Sequence, residues 1–327
     1  MAVPAGTQQT YQQVGIREDL SDFIYNIDPV ETPFMSMVRK GSKPKNYKVE
    51  WQTDSLAAAD GTNATIDGDD PAANTASPTV RQGTYTQLMD KVVRVSDRAN
   101  QMTTAGRKRE LAYQVAKRGK ELKRDMETRL TGNYASVVGS AATASETAGV
   151  EAWLETNVTR GSGGADGGWS STNQLTAAAT DASSSNLITF TEARLKTQIR
   201  NIWDAGGNPK YILTGGFNKQ VASGFSGIAT LYRDTAGQMK SPATILGAAD
   251  IYISDFGEHK IVPDRFSRDR TALILDMSYW SIHYLMPFNV TPLSKTGHSE
   301  RRLLRVDFAL CSKNEAASGA VADLTTS

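Results

Sequence analysis

The chain has a single cysteine, Cys311, in 327 residues, so no intrachain disulfide can form; the expectation is a protein kept in a reducing compartment. Long apolar runs are also missing. No stretch approaches the roughly 20 apolar residues that cross a bilayer, and residues 1–13 lack the basic start and apolar core of a leader, which predicts a soluble, unsecreted chain. Neither sign of charge dominates: 36 Lys plus Arg stand against 35 Asp plus Glu, a net charge of +1, which argues against a strongly basic nucleic-acid binder and makes any charge effect local. Signatures of chemistry are absent as well. His259, His283 and His298 stand apart with no H-E-x-x-H pattern, and Gly224-Phe-Ser226-Gly227 falls one residue short of a nucleophile elbow. The glycine-rich run of residues 161–168 has no strand before it and no helix after it, as a phosphate loop would need. Asp67-Gly-Asp69-Asp70 lacks the ligand spacing and distal Glu of a calcium loop. No catalytic, cofactor or metal site is expected, and hence no enzyme.

What is present is organised around residues 104–134, the longest helical pattern without proline. Leu111, Val115, Gly119, Leu122, Met126 and Leu130 recur at spacings of three and four and share one face. Such a helix would be about 45 Å long. Lys117, Lys120 and Arg124, with Tyr113, fall opposite, either as a basic stripe or as a solvated face laced by Glu121 and Asp125.

Ahead of it, residues 1–15 read as a polar arm. Residues 16–27 read as a short helix with Leu20, Phe23, Ile24 and Ile27 on one face and Asp19 and Asp22 on the other. Residues 34–38 form a second short apolar piece begun by Pro33. Neither piece buries its apolar face alone, so each must dock on its own chain or on a neighbour. Strands are predicted over residues 47–53 and 82–96. The span between them is a long anionic finger: no Lys or Arg occurs from Val49 to Val80, while Glu50, Asp54, Asp60, Asp67, Asp69 and Asp70 do.

Residues 139–186 are rich in Ser, Thr, Ala and Gly and read as a flexible surface insertion. Thr189 to Glu192 opens a helix with Leu195, Ile199, Ile202 and Trp203 on one face, ended by Gly206-Gly207. A strand at residues 210–214 and a helix carrying Phe217, Val221 and Phe225 follow. Further strands are predicted over residues 250–254, 259–262, 272–276 and 280–285. A long half-buried strand then carries Leu304, Val306, Phe308 and Leu310. The class is α+β with a mixed sheet.

Short docking helices, a two-stranded finger, a long strut and an α/β region resemble, in that order, the major capsid proteins of tailed bacteriophages with the fold first seen in phage Hong Kong 97. More narrowly, the chain resembles the head proteins of Escherichia podoviruses. The residues carrying the narrower likeness are Arg17-Glu-Asp-Leu-Ser-Asp22 running to Pro33-Phe34, Glu50-Trp-Gln-Thr-Asp-Ser-Leu56, Phe217-Asn-Lys-Gln-Val221, Ser254-Asp-Phe-Gly257 with Val262-Pro263, and Lys313-Asn-Glu-Ala316. The resemblance implies an N-terminal arm (1–45), an extended loop (46–86) and a peripheral domain (87–184) whose spine helix is residues 104–134. It further implies an axial domain (185–285) and a C-terminal return to the peripheral domain (286–327).

The implied function is self-assembly into an icosahedral shell around double-stranded DNA, as hexamers and pentamers in which each finger reaches the next copy. A separate scaffold, a portal and a decoration protein are the implied partners, with assembly in the host cytoplasm. Arg301, Arg302 and Arg305 are the expected dock for the finger, and Lys117, Lys120 and Arg124 the expected DNA-facing stripe. The type protein crosslinks its shell through a finger lysine, which this finger lacks. A decoration protein or an encapsulin-like compartment shell are the alternatives.

Overall fold

The computed structural model describes residues 31–68, 70, 78–102, 109–225 and 251–326. The polar arm, the helix expected over residues 16–27 and Ser226-Gly227 lie outside them. The described chain opens on α1 (Pro33–Met37), with Pro33 in its first turn, where a missing N–H costs nothing. A two-residue strand, β1 (Arg39–Lys40), follows. The hairpin β2 (Lys48–Thr53) and β3 (Val80–Tyr85) forms the root of the finger, in register from Lys48 opposite Tyr85 to Thr53 opposite Val80.

The strand predicted over residues 82–96 is in fact two, because β3 ends at Tyr85 and β4 (Gln87–Ser96) belongs to another sheet. Thr86 is the crossing point. It is buried, its N–H donates to Tyr47 O, and its carbonyl takes the Ser145 hydroxyl. A short α2 (Asp97–Gln101) capped by Ser96 follows.

The strut is α3 (Glu110–Thr131), 22 residues and thus about 33 Å long. Residues 103–108 lie outside the described set; Arg109, just before the first turn, is extended, and the C-terminal end comes at Thr131, short of the predicted residue 134. Gly132 turns extended there, and Tyr134 folds back so that the Arg129 guanidinium lies 4.7 Å from its ring centroid. The predicted face is the buried one. Leu122, Met126 and Leu130 are fully covered, and Leu111 and Val115 pack at the margin. Beneath it lies a four-stranded sheet in the order β1, β12 (Trp280–Leu293), β13 (Ser299–Ser312), β4. Strand β12 therefore runs well past the predicted end at residue 285.

Residues 139–186 are not a loose surface insertion. They hold α4 (Val150–Trp153), β5 (Val158–Thr159) and the hairpin β6 (Gly168–Ser170) with β7 (Leu175–Ala177). Trp153 and Leu154 are fully buried, with Trp153 5.7 Å from the Trp51 ring at the root of the finger. Charged residues fasten this region from below. Glu151, with no exposed surface, receives Arg268 at 3.0 Å and Arg160 at 3.4 Å, and Arg268 also holds Asp181.

A second sheet has six strands in the order β5, β14 (Gly319–Val321), β11 (Ala272–Leu275), β8 (Tyr211–Thr214), β10 (Gly257–Pro263), β9 (Ile251–Ser254). Strand β14, from the segment expected to return to the peripheral region, thus joins the sheet built mostly from residues 185–285. Helix α5 (Glu192–Asp204) covers it with Leu195, Ile199 and Ile202. The cap is Thr191, whose hydroxyl accepts the Arg194 N–H, rather than Thr189. Trp203 does not share the buried face. It is 56% exposed and stacks on Phe256. Gly206 has φ +83, the left-handed helix stop that glycine adopts freely. Helix α6 (Gly216–Ser223) follows β8.

The N-terminal pieces dock on this body. Glu127 of α3, fully buried, accepts the Phe34 N–H at 2.6 Å with one carboxylate oxygen and the Met35 N–H at 3.0 Å with the other. Strand β1 runs parallel to β12, and His283 closes the contact through its Nδ1, 2.7 Å from Ser42 O. His259 is also structural: buried, its Nδ1 donates to Pro209 O and its Nε2 faces the Ser254 hydroxyl at 2.7 Å. Burial lowers the pKa of this imidazole and keeps it neutral.

Candidate assembly surfaces

The finger leaves the body from a rigid root. Tyr47 packs on Tyr85, and Lys48 reaches Gln174 at 2.9 Å. Glu50 does not project its charge outward. Its Oε1 lies 2.8 Å from both Lys48 Nζ and Arg81 Nη2, and the hydrogen bond from Lys48, followed by that from Arg81, lowers its pKa. It belongs to the hairpin ladder.

Further out, Asp54 accepts its neighbour's N–H from Ser55, and Asp60 accepts both the N–H and the hydroxyl of Thr62 in a local turn. Those bonds from Thr62 lower the Asp60 pKa, so its charge persists to acid pH. Asp67 is exposed beside Gly68, and Asp70 is exposed; Asp69 lies outside the described residues. Among these acids sit Leu56 and Ile66, 99% and 78% exposed.

The predicted arginine dock is divided by the pleat. Arg301 lies opposite Arg94 and Arg305 opposite Asp90, on the solvent face of the four-stranded sheet; Arg302 lies opposite Val93 and points toward α3. Arg302 therefore leaves the set, since neighbouring strand residues face opposite sides, and its nearest acid is Glu300 at 3.9 Å. Arg94, which the sequence reading missed, replaces it. Two guanidiniums directly across a strand pair repel one another, and Arg94 relieves this by turning to the Ser299 hydroxyl at 3.0 Å. Leu88 and Val92, 58% and 46% exposed, alternate with Asp90 and Arg94 on the same face. The result is a mixed charged and apolar surface on which Arg94, Arg301 and Arg305 outnumber the exposed Asp90.

On α3, Lys117 and Lys120 stand exposed, with Lys123 one turn on. Arg124 departs from the predicted stripe. It is half-buried, its guanidinium 5.3 Å from the Phe266 ring centroid. The acids Glu121 and Asp125 meet Lys91 from the sheet below, at 3.8 and 2.7 Å.

A projecting hairpin, a long helix across a four-stranded sheet and a second sheet under α5 define the Hong Kong 97-like fold. Comparison with known structures agrees. The capsid subunit of Cyanophage A-1(L) superposes with a TM-score of 0.62 at 13% identity, over 98% of this chain and 99% of that one. An encapsulin from Synechococcus elongatus superposes with a TM-score of 0.53 at 10% identity, over 93% of this chain and 94% of that one. Likeness at such identities shows the fold.

The family is shown by sequence: residues 3–325 match the SU10 major capsid protein model, and the chain belongs to that family. The major capsid protein of Escherichia phage Phieco32 is 43% identical over 126 residues, covering 38% of this chain and 36% of that protein. The expected class, α+β with the Hong Kong 97-like fold, and the expected identity as a phage major capsid protein of the virion both hold.

Proposed function

We propose that this chain builds the icosahedral head of a tailed phage from rings of identical copies, each finger lying on the solvent face of the next copy's four-stranded sheet. The observation that carries this reading is complementarity. The finger presents Asp54, Asp60 and Asp67 beside exposed Leu56 and Ile66, and the sheet presents Arg94, Arg301 and Arg305 beside exposed Leu88 and Val92.

A head-to-tail contact closed by rotation satisfies every finger once. The exposed lysines of α3 lie on the opposite side of the sheet and suit packaged double-stranded DNA through nonspecific phosphate contacts. Residues 46–86 would then be the finger, 87–184 the peripheral domain, 185–285 the axial domain and 286–327 the return. A separate scaffold, a portal and a decoration protein complete the assembly in the host cytoplasm.

Charge reversal tests the finger. Asp54→Lys, Asp60→Lys and Asp67→Lys together are expected to suppress shells and rings, seen by electron microscopy and sedimentation, while the unassembled subunit keeps its melting temperature. Wild-type assembly is expected to weaken with salt, since exposed charge contacts are screened. Unchanged assembly and salt dependence in the variant would remove the finger from this role. Because no lysine lies between Val49 and Val80, denaturing gels of wild-type particles are expected to show monomer; a ladder would refute the noncovalent shell.

A further inference from the structure

A groove of about 340 Å³ runs between α3 and β12, with Gly119, Phe288, Val290 and Leu304 in its walls and Lys120 and Lys123 at its rim. It has a local cause. The register of β12 against β13 slips twice between Tyr284 and Asn289, around Pro287, which has no N–H for the ladder. Phe288 and Val290 are left 41% and 45% exposed.

Gly119 is a second sign. A glycine inside a helix costs about 1 kcal/mol relative to alanine, yet a Cβ here would meet only Leu304 Cδ2, at 3.8 Å, an ordinary contact. Packing within the subunit does not require the glycine; close approach of something from outside would. Lys120 and Lys123 make no ion pair among the described residues.

The occupant must therefore be apolar on one side and acidic beside it. We propose that the groove seats residues 16–27 of the same chain through the face that carries Leu20, Phe23 and Ile24, which leaves Glu18, Asp19 and Asp22 above the apolar floor, on the side of the rim lysines Lys120 and Lys123. Those residues carry the apolar side chains and the acids that the groove lacks. They also end within reach. Glu127, which holds α1, is seven residues along α3 from Lys120, or about 10 Å, and the five residues 28–32 can span about 16 Å. The finger of a second copy is the competing occupant, being acidic and apolar too, but the chain gives it no tether to this site. Lys120 then serves the groove rather than DNA, leaving Lys117 to the stripe.

Carbodiimide crosslinking of the dilute, unassembled full-length chain tests this, with peptide mapping by mass spectrometry. Links within one chain from Glu18, Asp19 or Asp22 to Lys120 or Lys123 are expected. Gly119→Leu, which favours the helix while filling the groove, is expected to abolish them with no fall in melting temperature. Phe23→Ser with Ile24→Ser is expected to abolish them from the other partner. Links from those lysines to Asp54, Asp60 or Asp67, links only between two chains, or no links at all would overturn the proposal. Particle formation is scored separately by microscopy: shells without these links refute the seat alone, and links without shells refute only the assembly reading.

Discussion

Glu151→Ala is expected to destabilise the unassembled subunit by about 3–5 kcal/mol, the cost of breaking a buried charge pair by removing one partner. The carboxylate has no exposed surface, and it is shared by Arg268 Nη1 at 3.0 Å, Arg160 Nη1 at 3.4 Å and the Thr271 hydroxyl at 3.2 Å. Only 5% of the Arg160 side chain is exposed, and its remaining acid, Asp166, stands at the surface. Losing Glu151 leaves Arg160 with Asp166 alone and Arg268 with Asp181 alone. Residues 151, 160, 166 and 181 belong to one region and residues 268 and 271 to another, so the network ties the two together. Glu151→Gln keeps the shape and the acceptor for Thr271 but not the charge, and is expected to fall between alanine and wild type. Urea unfolding of the three proteins at constant pH decides the matter. A loss below about 1 kcal/mol for alanine would mean that water or side-chain rearrangement compensates the arginines.

The same network shows why residues 139–186 were misread from the sequence. Apart from the short run Val150, Trp153 and Leu154, what this region buries is small or polar: Thr147, Ala148, Ala152 and Thr176 lie in the interior together with Glu151. Hydrophobic periodicity is a signal carried by large side chains, and a core of Ala, Thr and ion pairs carries almost none of it. The strut, by contrast, was legible, because Leu122, Met126 and Leu130 repeat at the helical period and nothing competes with that pattern.

The dock was only half legible. That Arg301 and Arg302 cannot share a face follows from the period of two once the segment is read as a strand, so their grouping was an error the sequence could have corrected. Arg94 was out of reach, since its place opposite Arg301 depends on a register that no local pattern fixes. Likewise, Glu50 counted as finger charge until the hairpin register placed Arg81 beside it.

Docking of α1 is expected to weaken as pH rises through about 8, and Glu127→Gln to remove most of that dependence. Burial, with Asp264 nearby adding to it, pushes the Glu127 carboxyl up to about 8, against the backbone bonds from Met35 and Phe34 that favour its charged form. The folded chain therefore holds a proton here that the unfolded chain releases near the ordinary glutamate value. The stability gained is fully present below that unfolded value, shrinks as pH rises above it, and is gone above about pH 8; its scale is on the order of several kcal/mol.

Glutamine retains one acceptor for the two N–H groups and cannot ionise, so its stability is expected to be lower than wild type at pH 5 and to change less between pH 5 and 9. Urea midpoints of both proteins at those two values, read on unassembled subunit, give the comparison. Buried Asp264, whose own pKa is raised by burial, contributes a slope of the same sign to both proteins, so the difference between them isolates Glu127. Parallel curves for wild type and Glu127→Gln would show that Glu127 is ionised throughout and that α1 is held by a carboxylate at every pH. A steeper fall in wild type would make release of the N-terminal segment from α3 a proton-linked step, because the group that titrates is the one gripping Phe34 and Met35.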